Sequence, residues 1–332
     1  MSEEKKNILE IKDLKVHFPL TKGIGKTVIG TVKAVDGISF NVPKGSTIGI
    51  VGESGCGKTT TGKAILRMVS SNGGEVIFNG ENVLAMKKKE HNRVKRNIQM
   101  IFQDPYGSLD PRQSAFSIIA EVLCADGKKR TKEEISKEVN ELLVMVGLSE
   151  EMGERYPHEL SGGQRQRVGI ARALACHPDV IICDEPVSAL DVSIQAQIIN
   201  LLERLQRELG LTYIFVAHDL AVVRHIADEV CVMYLGNIVE SFKADDMFRN
   251  PLHPYTKALI SAIPVVDYHL EKTRSRIQLE GEVPSPINRP SGCPFHPRCP
   301  YATERCKTET PLLESAGDRH LVACFNYKES TK

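Results

Sequence analysis

The chain has 332 residues, 41% hydrophobic and 26% charged; this composition is ordinary for a globular protein, and the length fits one large domain with an appendage. Its 43 Lys and Arg residues balance 42 Asp and Glu residues, and the net charge of +1 gives no reason to expect a nucleic-acid-binding protein. No apolar run approaches the roughly 18 residues of a membrane-spanning helix, and the polar N-terminus predicts no signal peptide, so we expect a cytoplasmic chain unless a partner holds it at a membrane.

The N-terminal part of the chain alternates strand patterns with turns. Alternating or short apolar runs predict strands at residues 9–20, 35–42 and 46–51. A stretch rich in Gly, Lys and Thr at 19–33 predicts a loop between the first two strands. Residues 58–69 have helical character, and residues 73–83 predict a hairpin whose turn is Asn79-Gly80.

The middle of the chain alternates helices and strands. Helical periodicity occurs at residues 117–148, 162–177 and 191–209, and short apolar runs predict strands at 180–183, 213–217 and 229–234. This alternation predicts an α/β fold whose mainly parallel sheet is covered by helices on both faces. After residue 250 the character changes, because residues 281–300 are too rich in proline for a helix or a central strand.

A phosphate-binding loop is predicted where the strand at 46–51 ends. Residues 52–59 (GESGCGKT) match the G-x-x-x-x-G-K-[ST] pattern between a strand and a helix. Its glycines let backbone N–H groups converge on phosphate oxygens, and the following helix presents its positive end to the same anion. Lys58 would contact the β- and γ-phosphates, and the Thr59 hydroxyl would ligate Mg²⁺. The predicted nucleotide-binding residues of this segment are Gly52, Ser54, Gly55, Cys56, Gly57, Lys58, Thr59 and Thr60.

Two acidic residues follow the apolar strand at 180–183. Asp184 is placed to hold Mg²⁺, and Glu185 to orient and activate the attacking water. Two acids after a strand often form only a helix N-cap and its first turn. The phosphate loop in the same chain favours the catalytic interpretation.

A second anion-binding turn precedes that strand. Ser161, Gly162 and Gly163 open a helix within the sequence LSGGQRQ at 160–166. One chain that binds one triphosphate does not need two such turns, whereas two chains packed head to tail would use both. The alternative is an ordinary capped helix.

With these motifs in this order, residues 9 to about 250 resemble the ABC transporter ATPases. The resemblance implies a P-loop (RecA-like) ATPase core with an N-terminal antiparallel β portion and a helical insertion at about 105–160. It implies that Gln103 contacts Mg²⁺ and the attacking water, that Asp191 lies at a dimer seam, and that His218 contacts the γ-phosphate. Phe18 corresponds to the aromatic residue that stacks on adenine, although it could instead be a core residue.

Other segments resemble the oligopeptide and dipeptide importer ATPases within that family. These are FQDP at 102–105, PVSALDVSIQAQ at 186–197, NPLHPYT at 250–256 and GEVPSP at 281–286. The implied organisation is a nucleotide-binding domain at 1–250 and an extension at 251–332, in which His253 and Tyr255 are expected to pack.

The same resemblance implies an assembly at the cytoplasmic face of the cell membrane. Its members would be a second ATPase subunit, identical or paralogous, two permease subunits and an extracytoplasmic peptide-binding protein, with ATP bound between the two ATPases. The alternatives are an importer ATPase for another solute such as nickel, an exporter subunit, a soluble ABC ATPase and an electron carrier.

Four cysteines crowd the C-terminal segment, and a reducing cytosol argues against disulfides there. They are Cys293, Cys299, Cys306 and Cys324. Their spacing is wider than the close pairs of structural zinc sites, and four thiolates on irregular backbone suit an iron–sulfur cluster. The resemblance to cluster-carrying importer ATPases implies a [4Fe–4S] cluster, with zinc and free thiols as the alternatives. We expect the cluster to order the tail without affecting the separately packed phosphate loop.

Two further expectations concern single features. Cys56 lies near Lys58 and a helix N-terminus, so a lowered thiol pKa is expected. The basic run at 87–96 is expected to be a solvated face.

Overall fold

A computed structural model describes residues 6–22, 27–104, 106–125, 128–247, 249–263 and 276–328. Pro105, where the predicted insertion begins, lies outside the described residues, as do residues 23–26 of the predicted N-terminal loop. The chain divides into two units that alternate along the sequence. The first unit contains Met1–Lys6, Val42–Ser46 and Ala85–Val216, and the second contains Asn7–Asn41, Thr47–Leu84 and Ala217–Lys332.

The described strands and helices agree with an α/β fold. The strands are β1 (Asn7–Lys22), β2 (Thr27–Pro43), β3 (Thr47–Val51), β4 (Gly73–Phe78), β5 (Glu81–Asn82), β6 (Ile98–Ile101), β7 (Val180–Asp184), β8 (Thr212–Ala217), β9 (Glu229–Tyr234), β10 (Asn237–Lys243), β11 (Glu314–Gly317) and β12 (His320–Val322). The helices are α1 (Lys58–Ile65), α2 (Lys88–Asn97), α3 (Ala115–Cys124), α4 (Lys132–Met145), α5 (Gly162–Leu174), α6 (Val192–Leu209), α7 (Leu220–Ile226), α8 (Pro254–Ser261) and α9 (Glu304–Thr308). Short 3₁₀ turns occupy Val83–Ala85, Glu150–Glu154, Pro157–Glu159, Ala244–Asp246 and His296–Arg298.

The first unit is built on parallel strands. β6 pairs with β7, and β7 pairs with β8, both in parallel. Every residue of β7 and β8 is buried, which fits their continuous apolar character, since strands covered on both faces do not alternate. The carboxyl end of β7 therefore carries Asp184 and Glu185 out of a fully buried strand.

The helical segment of the first unit differs from the single helical run predicted at 117–148. It contains α3 and α4, and Thr131 begins the second of them with a capping box. The Thr131 hydroxyl accepts from Glu134 N–H at 3.2 Å, and the Glu134 carboxylate accepts from Thr131 N–H at 2.7 Å. This Thr-x-x-Glu signal, which is typical of a helix start, explains the interruption.

The second unit contains two sets of strands. One is an antiparallel sheet in the order β2-β1-β4-β5. Its turn at Asn79 and Gly80 lies where the sequence predicted it, and these two residues have positive φ angles of 50° and 86°. In the other, β3 pairs with β9 in parallel, β9 pairs with β10 in an antiparallel manner, and β12 then joins β10 to β11. The C-terminal extension thus adds strands to the edge of β10.

The predicted loop at 19–33 is wrong for most of its length. β1 continues to Lys22 and β2 begins at Thr27, so the described residues of this stretch are the two arms of a hairpin. Val28 and Ile29 are exposed there, so these arms lack the buried face that gives a strand its alternating pattern.

The expectation of a solvated basic face is confirmed by the exposure of its side chains. All the Lys and Arg side chains at 87–96 are exposed to solvent, namely Lys87, Lys88, Lys89, Arg93, Lys95 and Arg96. Across the part of the chain that the structure describes, none of the helices combines the length and apolar character that spanning a membrane requires.

Candidate nucleotide site and cysteine cavity

Two glycines of the phosphate loop have conformations that leave no room for a side chain. Gly52 has a φ of 152°, and a Cβ there would collide with the Met233 carbonyl oxygen. Gly57 has a φ of 110°, and a Cβ there would collide with the Ala34 carbonyl oxygen. The close approach of β2 and β9 to the loop therefore requires glycine at both positions.

Lys58 begins α1 at the end of the phosphate loop. Its side chain is buried, and its ammonium donates to the carbonyl oxygens of Gly52 at 2.7 Å and Glu53 at 3.1 Å. The loop is also held from outside, because Gly236 N–H donates to the Cys56 carbonyl at 2.8 Å. The conformation of the loop thus depends on Lys58 and on the turn between β9 and β10.

The expected lowering of the Cys56 pKa is wrong. Burial raises the pKa of this thiol, and the nearby Lys58 ammonium, 3.9 Å from the sulfur, offsets only part of the effect. Cys56 is therefore a protonated, buried thiol, and its role in a nucleotide site rests on its backbone.

The acidic pair after β7 has an unusual backbone. Asp184 is buried at the end of the strand, and Glu185 has a φ of 45°, in the left-handed region that a glutamate rarely occupies. Glu185 N–H donates to the Val216 carbonyl of β8 at 2.9 Å. Such strain persists only where surrounding contacts impose it, and it is concentrated at functional positions.

Gln103, for which the family resemblance implies a contact with the attacking water, lies beside Glu185. Gln103 Nε2 donates to Glu185 Oε2 at 2.8 Å. The two residues are 82 positions apart, and the parallel pairing of β6 and β7 brings their carboxyl ends together. The amide donor orients the carboxylate, and both side chains reach the same region of solvent.

Ser161 caps α5 with a capping box. Its hydroxyl accepts from Gln164 N–H at 3.3 Å, and the Gln164 side-chain oxygen accepts from Ser161 N–H at 2.8 Å. Ser161 is exposed, and Gly163 is packed closely enough that a Cβ there would meet Ile194 of α6. The capped-helix alternative is thus present in the structure, and it leaves the serine at the surface, open to a second chain.

Asp191, His218 and Phe18 are also at the surface. Asp191 is the N-cap residue of α6, and His218 directly follows β8, one residue before Asp219, the N-cap of α7. Phe18 is 39% exposed on β1, which argues against the alternative that it is a core residue.

The four C-terminal cysteines line one cavity of the second unit, together with His253 and Phe295. They are Cys293, Cys299, Cys306 and Cys324. Cys293 N–H donates to the Cys306 carbonyl at 2.8 Å, which ties two of the four segments together. Burial, with the neighbouring thiols, raises the pKa of Cys293 to about 12 and that of Cys324 to about 11.

The cysteine cavity does not by itself establish a metal site. Among the residues that the structure describes, no group of three or more His, Cys, Asp or Glu side chains is arranged to hold a metal ion. The predicted gathering of the four thiols in one place is present, and the predicted cluster stays a prediction.

Three residues connect the extension to the phosphate loop, and the sequence did not predict this contact for any of them. Arg298 forms an ion pair with Glu53 at 2.9 Å, and the Tyr255 hydroxyl accepts from Glu53 N–H at 2.8 Å. The expectation that the phosphate loop packs separately from the extension is therefore wrong. Tyr255 and His253 are fully buried as expected, but Tyr255 also bonds the loop.

Comparisons with known proteins find family matches both to the part of the chain that contains the phosphate loop and to its C-terminal part. A family model described as ABC transporter matches residues 35–188, and one described as oligopeptide/dipeptide transporter, C-terminal region, matches residues 239–306. The chain is 51% identical to the oligopeptide transport ATP-binding protein AppF of Bacillus subtilis (strain 168), over 96% of this chain and 97% of that protein. It is 52% identical to OppF, which has the same description, of Escherichia coli (strain K12), over 98% of each.

The fold is similar to that of a solved ATP-binding cassette. A dimeric structure of the cassette MJ0796, in a post-hydrolysis state bound to ADP and Pi, matches with a TM-score of 0.64 and 28% identity. The match covers 71% of this chain and 98% of that one.

Proposed function

The chain belongs to the ABC transporter ATPases of the oligopeptide and dipeptide type, and we propose that it hydrolyses ATP to power the import of such peptides through a membrane permease. The observation that carries the proposal is the match over nearly the whole chain, extension included, at about half identity to oligopeptide transport ATP-binding proteins.

We assign ATP binding to the phosphate loop. Its glycines place backbone N–H groups where triphosphate oxygens can approach, and Lys58 supplies a positive charge once ATP draws it from the loop carbonyls. Phe18, exposed on β1, is assigned to adenine stacking. We also assign the backbone of Cys56, and Thr60 in the first turn of α1, to binding the phosphates.

Hydrolysis is assigned to Glu185, which orients and deprotonates the attacking water. Gln103 supports this role, since its amide donates to the carboxylate and fixes the direction in which the oxygens face. His218 is assigned to the γ-phosphate. Mg²⁺ held by Thr59, Gln103 and Asp184, whose oxygen atoms suit that ion, would offset the charge of the phosphates.

We further propose that two ATPase subunits share their nucleotides. Ser161, Gly162 and Gly163 would face the nucleotide of the second chain, with Asp191 at the seam. The exposure of the serine at a helix N-terminus supports this arrangement, as does the similarity to a cassette solved as a dimer. The second subunit is a copy of this chain or a paralogue.

The remaining members of the assembly follow from the transport function. Two permease subunits would hold the ATPases at the cytoplasmic face of the membrane, and an extracytoplasmic binding protein would deliver the peptide. ATP binding would then close the ATPase pair and rearrange the permease, which requires that ATP bind the closed state more tightly than the open one.

We propose that the four extension cysteines hold a [4Fe–4S] cluster. The residues fit the group: four thiols line one cavity, Cys306 from α9 and the other three from irregular backbone, and such clusters are held by four cysteine thiolates. Burial raises the pKa of Cys293 to about 12 and that of Cys324 to about 11, so thiolates at these two positions would need a cationic centre. Zinc is the alternative, since it too is held by cysteine thiolates.

Affinity purification from membranes tests the transport assignment. We expect permease subunits and a second ATPase to co-purify, and we expect the assembly to hydrolyse ATP faster when the peptide-loaded binding protein is added. Purification as a soluble chain without permeases, with ATP hydrolysis that does not respond to peptide, would contradict it.

A further inference from the structure

The extension holds Glu53 of the phosphate loop by its side chain. Arg298 donates to both carboxylate oxygens of Glu53, at 2.9 Å and 3.3 Å. The arginine side chain is 8% exposed and the glutamate 27%. A two-point pair of this kind fixes orientation as well as distance, and shielding from water strengthens it relative to a surface pair.

The extension also holds Glu53 by its backbone. The hydroxyl of Tyr255, in α8, accepts from Glu53 N–H at 2.8 Å, and the Tyr255 ring is fully buried. The same glutamate offers its carbonyl oxygen to Lys58 at 3.1 Å. The extension thus holds both the N–H group and the side chain of Glu53. This fixes the position of the Glu53 carbonyl oxygen and therefore of the Lys58 ammonium that it binds.

The groups that contact Glu53 are rigid because aromatic rings pack around them. Phe295 packs against Tyr234 and Tyr255, with ring centroids 5.2 Å and 5.5 Å apart, and Tyr234 and Tyr255 are 4.7 Å apart. Arg298 lies in the 3₁₀ turn between Phe295 and Cys299. The arginine that reaches the phosphate loop is thus directly followed by Cys299, which lines the cavity.

The buried anchor for this arrangement is Glu240 of β10. Its carboxylate accepts from His253 N–H at 3.0 Å, and His253 Nδ1 accepts from Tyr255 N–H at 3.1 Å. A chain of hydrogen bonds therefore runs from β10 through the start of α8 to the phosphate loop.

We propose that Arg298 and Tyr255 are positioning residues for the phosphate loop, through which the cysteine-bearing extension sets the affinity of the chain for ATP. The proposal deepens the proposed function and rests on ATP as the ligand of the loop. Loss of the Arg298 pair frees the Glu53 side chain and leaves its peptide held by Tyr255 alone, so the loop samples conformations in which its amides and Lys58 do not face the phosphates together. The apparent affinity falls by the fraction of time spent there.

ATP titration of the full-length chain tests the proposal. We expect Arg298→Gln to weaken ATP binding by about tenfold, Arg298→Lys by about threefold because the charge remains without the fork, and Tyr255→Phe by about threefold. Arg319→Gln is the matched control: Arg319 also lies in the extension and pairs with Glu229 of β9 at 3.2 Å, but it does not contact the phosphate loop. It should leave ATP affinity within twofold of wild type.

Three further readouts separate positioning from general stability. In the assembled transporter, Arg298→Gln should raise KM for ATP while kcat stays within twofold, because Glu185 and Gln103 are untouched. Glu53→Gln added to Arg298→Gln should cost less than twofold more, since the pair is already broken. Hydrogen exchange at 52–58 should quicken in Arg298→Gln and not in Arg319→Gln.

Two results would overturn the proposal: ATP affinity within twofold of wild type in both Arg298→Gln and Tyr255→Phe, or an equal loss in Arg319→Gln. Tyr255→Phe keeps the ring packing, so it decides the matter if Arg298→Gln does not fold. A wild-type chain that binds no ATP would instead refute the proposed function itself.

Discussion

Removal of the buried Glu240 carboxylate should loosen the extension from the strand on which it is anchored. Glu240 is fully buried and accepts hydrogen bonds from Leu252 N–H at 2.7 Å, His253 N–H at 3.0 Å and His320 Nε2 at 2.7 Å. Glu240→Ala leaves two buried backbone N–H groups without that acceptor, at about 1–3 kcal/mol each, so we expect a loss of about 4 kcal/mol in the free energy of unfolding.

Two further substitutions test whether burial of the Glu240 carboxylate causes this loss of stability. Glu240→Gln keeps one acceptor oxygen and should cost about half as much as Glu240→Ala. Glu229→Gln removes a carboxylate of the same kind from the exposed pair with Arg319, and it should cost at most about 1 kcal/mol.

Urea unfolding followed by circular dichroism measures these differences, because the chain has no Trp to serve as a fluorescence probe. Limited proteolysis beyond residue 276 reports whether the extension opens first. Equal midpoints for Glu240→Ala and Glu229→Gln would show that the buried carboxylate does not hold the extension, and the reasoning from burial would then be wrong.

Three other predictions concern the site. Ser161→Arg should abolish hydrolysis by the assembly while ATP binding to the isolated chain stays within twofold; a collapse of binding to the isolated chain would contradict the sharing of sites. Protein purified without oxygen should be brown and contain about four iron atoms per chain, and Cys299→Ser should lower both the colour and, through the neighbouring Arg298, the affinity for ATP; stoichiometric zinc without iron would refute the cluster. Because burial raises the pKa of Cys56, peptide-resolved alkylation at pH 8 should modify it more slowly than the exposed Cys124, and a faster reaction would contradict the burial argument.

Sequence patterns located the parts of the site that depend on local chemistry. Strand, loop and helix follow one another around the phosphate loop, and β7 ends at the acidic pair as its apolar run predicts. These patterns succeed because buried strands and glycine turns constrain the residues that lie within them. The neighbourhood of Gln103 and Glu185 followed from the family resemblance, and the pairing of β6 with β7 supplies its physical basis.

Long-range contacts could not be predicted in the same way. Glu53 and Arg298 are separated by 245 positions, and each has the appearance of an ordinary surface charge in its own segment. Tyr255 was expected only to pack, because a sequence does not show which hydroxyl meets which amide. The β1–β2 hairpin was missed for a different reason, since its exposed arms lack the alternation that marks a half-buried strand.

The most direct measurement of the central claim is ATP-driven peptide uptake by the reconstituted transporter carrying Glu185→Gln. Glu185 bears the strained backbone and the hydrogen bond from Gln103, so its carboxylate should contribute about 10²–10⁴-fold to hydrolysis. We expect ATP binding and ATP-dependent association of the ATPase subunits to persist, while hydrolysis falls by that factor and uptake stops with it. Hydrolysis within a few-fold of wild type, or uptake that continues without it, would contradict the account.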